Sequence, residues 1–196
     1  MKAIFKVTAV AALMAAGMSS AFAAGTDAHV EITGNVTPVS CNLGPGAKAP
    51  TAVFLGNASQ ADFTAGTSAY LNLFTVPSTK KTITVSVDGC SGVTPKSGDT
   101  LNIKINANGN TLNNDETLFG GGPGQVSNAG ATLIVQGGAS LQADNSSVIA
   151  YTYNASEPAS AANGSTVVFE TMMAAQSSSP SPGGIDAPIT FTVDYK

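Results

Sequence analysis

Two cysteines, Cys41 and Cys90, are the residues of this 196-residue chain best suited to covalent chemistry. In an oxidising compartment such a pair reads first as a disulfide, with a metal-binding pair as the weaker alternative. A bridge across the 48 intervening residues would contribute roughly 4 kcal/mol in the chain-entropy model, a large share of a typical stability of about 5–15 kcal/mol. The remaining candidates are poorer. The single histidine, His29, stands beside Glu31 and reads as a solvated side chain rather than a catalyst or ligand. Asp115 and Glu116 follow Asn113-Asn114; adjacent carboxylates on extended backbone point apart and the calcium-loop spacing is missing, so the segment reads as a polar turn. The glycine-rich stretch 120–124 has neither the lysine nor the strand-loop-helix context of a phosphate loop, and it too reads as a turn. Asn145-Ser146-Ser147 and Asn163-Gly164-Ser165 fit a glycosylation triplet only as chance occurrences in a chain rich in these residues. No catalytic constellation emerges, and the expectation is a protein that is not an enzyme and takes no cofactor or metal.

Compartment follows from the first residues. Lys2 and Lys6, an apolar stretch over 7–18 and Ala21-Phe22-Ala23 compose an export signal over residues 1–23, with a mature chain starting near Ala24. Its 12 apolar residues fall short of the roughly 20 that span a bilayer, so no membrane span is expected. Without the signal, six lysines face twelve acids, a net charge of −6, and arginine is absent. Nucleic acid is thereby disfavoured as a partner, since neither a phosphate-neutralising cluster nor a bidentate guanidinium is available.

The elements that must position the cysteines are strands. Alternation runs through Ala28, Val30, Ile32, Gly34 and Val36, and again through Ile83, Val85 and Val87 just before Cys90. Further strands are expected over 53–55, 71–76, 101–107, 133–135, 148–153, 166–173 and 189–195, about nine in all, separated by Gly-, Asn- and Pro-rich turns. No post-signal segment holds helical periodicity, only 10% of residues are charged, and the length suits one domain. Short strands at this spacing point to an all-β sandwich or barrel.

Four stretches together resemble the pilins of the chaperone-usher pathway, the type 1-like fimbrial subunits. They are Val30-Glu31-Ile32-Thr33-Gly34-Asn35-Val36 leading into Cys41, Val53-Phe54-Leu55-Gly56, Ile83 to Cys90, and a C-terminal segment with Gly183 fourteen places from the end, alternating Ala187, Ile189, Phe191 and Val193, and a penultimate Tyr195. The resemblance covers essentially the whole chain after residue 23. It implies an incomplete immunoglobulin-like β-sandwich that lacks its final strand and is completed by a donor strand from a chaperone or a neighbouring subunit. It also implies the boundaries 24–34 for an N-terminal donor extension and 35–196 for the pilin domain.

On that resemblance, Ala28, Val30 and Ile32 would fill a neighbour's groove, with Gly34 permitting close backbone approach. Gly183, Ile189, Phe191, Val193 and Tyr195 would belong to the strand a chaperone grips, the terminal carboxylate docking on basic chaperone residues. The implied partners are a periplasmic chaperone, an outer-membrane usher and neighbouring pilin subunits in a head-to-tail homopolymer. The product would be an adhesive fimbria exported through the periplasm to the cell surface. Rival readings are a minor adaptor or tip adhesin, and a stand-alone secreted sandwich module that binds a ligand. Pilin-like features starting within a few residues of the cleavage site speak against a separate adhesin domain.

Overall fold

The computed structural model describes residues 39–43 and 52–196. Eleven strands occupy them: β1 (Val39–Leu43), β2 (Thr64–Ala65), β3 (Phe74–Thr75), β4 (Lys81–Gly92), β5 (Thr100–Asn106), β6 (Thr111–Leu112), β7 (Asp115–Phe119), β8 (Gly130–Val135), β9 (Ser147–Thr152), β10 (Thr166–Ala175) and β11 (Thr190–Tyr195). Among the described residues the only helical pieces are four single 3-10 turns. One sheet runs β1-β4-β10-β8-β7-β6, with the β2–β3 ribbon joined to the end of β10; the other is β11-β5-β9. Every ladder is antiparallel. The two sheets face each other across one core, in an all-β, immunoglobulin-like sandwich.

The alternation of β4 and the buried Leu101, Ile103 and Ile105 of β5 build that core. Val85 and Val87 from one sheet and Ile103 and Ile105 from the other are completely buried, while the intervening Thr84 and Thr82 face outward. Phe169, Leu133 and Tyr153 fill the space between them. The Tyr153 hydroxyl, buried with its ring, donates to the Ala159 carbonyl at 3.0 Å, so it enters the core with its polar end satisfied.

Cys41 and Cys90 are disulfide-bonded and tie β1 to β4, which closes the metal-pair alternative. The β1–β4 register slips between Ser40 and Asn42, opposite Gly89. Gly89 takes φ +61°, the left-handed conformation that a bulge of this kind assigns to glycine. The bulge therefore sits beside the cysteine pair.

Three segments depart from the expected strands. Residues 71–76 shrink to the two of β3, because 3-10 turns at Ser68–Tyr70 and Pro77–Thr79 bracket them. Asp115 and Glu116 open β7 instead of forming a turn; the turn is Asn113-Asn114, both at φ near +60°, which join Leu112 to Asp115 in a two-residue hairpin. Asp115 caps its own strand by accepting from the Thr117 amide at 2.9 Å. Finally, 53–55 carries no ladder, a point taken up below. The strand expected over 28–36 lies outside the described residues, as does the export signal.

Removing the bridge with Cys41→Ala and Cys90→Ala together should lower unfolding free energy by about 4 kcal/mol, and Phe169→Ala by about 3–5 kcal/mol. Urea unfolding of the variants beside the parent chain checks both; a double cysteine variant of unchanged midpoint would contradict the role given to the bridge.

Candidate functional site

A strand in a closed sandwich is bonded on both edges or covered, and among the described residues β11 is bonded on one. Thr100 and Lys196 exchange both backbone bonds, at 2.7 and 2.9 Å. By the alternation of an antiparallel pair, the same side of β11 then serves Asp194, Thr192 and Thr190 against β5. The amides and carbonyls of Phe191, Val193 and Tyr195 point the other way, to an edge where no strand among the described residues pairs with them. β1 runs close beside this edge without forming a ladder to it.

Residues 53–56 provide the facing rim. Val53 packs on the main core and Leu55 on a second cluster around Phe63 and Val76, while Phe54 between them is 76% exposed. That is the alternation of a strand, in a segment with no ladder partner. The expected strand thus keeps its facing pattern and has no ladder neighbour among the described residues.

Between the rims lies a groove of about 980 Å³, floored by Phe63, Ile83, Ala129, Ala131, Thr171 and Met173. Its only charged lining residue among those described is Asp186. Such a trench can accept an extended apolar segment: the rim supplies backbone donors and acceptors, the floor supplies apolar pockets, and nothing in it is equipped for bond-making chemistry.

Of the residues expected on the chaperone-gripped strand, four lie on or directly before β11 and Gly183 does not. Phe191, Val193 and Tyr195 line the inner face of β11, and Ile189 immediately precedes it; all four are only half-buried, whereas their β5 neighbours Leu101, Ile103 and Ile105 are at 0–1% exposure. Phe191 stacks on Phe169 with centroids 5.2 Å apart. Gly183 is not on the strand. It sits in the preceding loop at φ +148°, where a β-carbon would lie 2.7 Å from the Val126 side chain. Ala28, Val30, Ile32 and Gly34 lie outside the described residues.

Tyr195 is anchored within its own domain. Its hydroxyl donates to Asp99, which also accepts from the Lys96 amide at 2.8 Å, and its ring lies 6.3 Å from that of Tyr153. The shared proton raises the Tyr195 phenol to about 12, with desolvation adding to the effect, and the same bond holds the Asp99 carboxyl below its usual value. The floor residues and the Tyr195–Asp99 pair were not foreseen from sequence. Ile83 and Met173 were visible as strand residues, but which neighbours leave them uncovered is a property of the sheet order.

A two-sheet immunoglobulin-like sandwich with one rim strand unpaired beside an apolar trench is the class of molecule that this fold defines. The model of the fimbrial protein family matches residues 30–196, and the chain belongs to that family. No curated protein matches it. The family is structural rather than enzymatic, so the chain is a fimbrial subunit that associates with other pilin subunits in a surface fimbrium. Among the described residues no helix is long and apolar enough to cross a membrane.

Since the folded state keeps Tyr195 protonated above the ordinary 10, the stabilisation is complete below about pH 10 and is lost as pH rises through about 12. Asp99→Asn should move the Tyr195 titration, followed by NMR of its ring carbons, down toward the ordinary value. An unmoved titration would show that Asp99 is not the cause.

Proposed function

We propose that this fimbrial subunit polymerises by donor-strand exchange, the groove beside β11 receiving the N-terminal extension of a neighbouring copy. The observation that supports this most directly is the edge of β11, without a strand partner among the described residues, running at Phe191 into a mostly apolar groove. Residues 24–34 are the donor, with Ala28, Val30 and Ile32 on one face and Gly34 at its end, between an export signal over 1–23 and the pilin domain over 35–196. Because every ladder in the fold is antiparallel, the donor is taken to run antiparallel to β11.

Each buried Val or Ile is worth about 1.5–3 kcal/mol, and with a ladder of backbone bonds the contact gathers on the order of 10 kcal/mol before the cost of ordering the donor. A donor and an acceptor on different faces make a head-to-tail contact that does not close, which gives a filament. Before assembly a periplasmic chaperone fills the trench with a strand of its own, gripping Ile189, Phe191, Val193 and Tyr195, and an outer-membrane usher receives the complex on the way to the surface. An open trench would otherwise be an aggregation site.

Deleting residues 24–33 from the mature chain should leave chaperone capture intact and stop extension onto the next subunit, read by electron microscopy and by heat-resistant ladders on gels. Continued polymerisation of that truncation would refute the donor assignment. Tyr195→Ala should cut the yield of chaperone complex about tenfold, as expected for loss of a half-buried aromatic that braces the gripped strand; an unchanged yield would remove Tyr195 from the contact.

A further inference from the structure

The rim of the groove continues beyond the start of β11, where the β5 ladder has ended at Thr190 and Asn106. Residues 180–189 are held there by other means. The carbonyl of Gly184 accepts from the Val126 and Ser127 amides at 2.9 and 3.0 Å, and the carbonyl of Asp186 accepts from the Gly122 amide at 2.9 Å. The Asp186 carboxylate accepts from the Gly124 amide at 2.9 Å, while the Asp186 amide donates to the Gln125 side-chain carbonyl at 2.7 Å. Gln125 is itself fixed, its amide group donating to the Ala129 carbonyl at 2.7 Å. The loops approach closely: a β-carbon on Gly184 would lie 2.9 Å from the Gly124 carbonyl oxygen, and one on Gly122 would lie 2.5 Å from the Asp186 carboxyl carbon. Gly122 and Gly124 of the 120–124 stretch make this approach, while Gly120 packs on Leu112 and Gly121 turns the chain at φ +90°.

The same end of the groove is bridged to the opposite rim. Gln60, at the end of the 52–60 rim, donates from its side chain to the carbonyl of buried Pro180 at 2.7 Å. The two rims are thus joined here by a polar clasp, in a groove whose floor is mostly apolar.

We infer that this clasp, through Gln60, Gln125 and Asp186, is an end-stop that holds the groove wall in place and sets the register at which an incoming strand comes to rest. The inference rests on the donor-strand reading and adds to it a source of register. A strand whose side chains alternate can slip by two residues and still point its apolar face inward, so Ala28, Val30 and Ile32 alone leave several alignments close in energy. A wall that cannot yield removes all but one. A wall already held in place also spares the incoming strand the cost of ordering it. For an antiparallel donor, the end that meets the stop is the C-terminal one, at Ile32 and Gly34.

The test uses the full mature chain in complex with its chaperone and a labelled peptide of residues 24–34 carrying photo-leucine in place of Ile32. In the parent subunit the probe should mark one position near the clasp. In Gln125→Ala and Asp186→Ala the marks should spread over several positions and peptide uptake should slow about tenfold, the equivalent of one side-chain hydrogen bond to the wall. Gln60→Ala, which removes only the bridge to Pro180, should spread the marks with less slowing, and it carries the test should the Asp186 variant fail to fold. Folded variants that take up the peptide at the parental rate with the parental marks would overturn the end-stop. A parent subunit that takes up no peptide would instead overturn the donor-strand reading, and the end-stop with it.

Discussion

Backbone hydrogen bonding obliges each strand of a sheet to find partners on both sides or to meet solvent, and among the described residues β11 finds a partner on one side alone. The rest of the molecule is organised around this half-satisfied edge. The inner face of β11 carries Phe191 and Val193, which belong to the core cluster and yet are half-buried, since the layer that would cover them is missing among the described residues. Across the trench, Val53 and Leu55 are turned inward in a segment that has the side-chain pattern of a strand and no ladder. Two rims, neither with a strand partner on the groove side among the described residues, border a groove of about 980 Å³ lined by Ile83, Ala131 and Met173.

A groove of that kind persists only if its walls cannot fall together, and each wall is braced separately. On one side, the Cys41–Cys90 bridge binds β1 to the long central strand β4, and Leu55 is packed on Phe63 and Val76. On the other, β11 is zipped to β5 along its length. Its far end is pinned by Tyr195 on Asp99, and the approach to its near end by the contacts of residues 181–186 with the 122–128 loop. The energies involved are modest, about 1 kcal/mol for a typical hydrogen bond, but they act at both ends of one short strand.

How much of this could be read from sequence depends on the range over which each feature is encoded. Alternation is local, so Ile83-Val85-Val87, Leu101-Ile103-Ile105 and Phe191-Val193-Tyr195 announced both the strands and their inward faces. The disulfide was legible for a different reason: two cysteines in an exported chain leave one intramolecular pairing. β7 was missed because Asp115 and Glu116 resemble a turn by composition, whereas the turn is made by the left-handed Asn113 and Asn114 before them. The unpaired state of 53–56 could not be read locally at all, since it is set by which strands stand beside it. For the same reason Gln125 and Asp186, some sixty residues apart and joined through one amide, left no mark in either segment alone.

The trench has to serve more than one occupant on the donor-strand reading, and that places a demand on its construction. If the rims were shaped by the strand that first fills them, replacement would require the groove to collapse and reform, exposing Ile83, Met173 and their neighbours to other chains during the exchange. On that reading, walls braced by the domain's own ladder, disulfide and loop contacts do not depend on the occupant for their shape. Exchange can then proceed residue by residue along a fixed edge, with the backbone groups of Phe191, Val193 and Tyr195 changing partners in turn. The low charge of the lining fits the same demand: among the described residues its one acidic side chain is Asp186, already bonded to the Gly124 amide, so an incoming apolar strand meets little charge that must be desolvated at a loss.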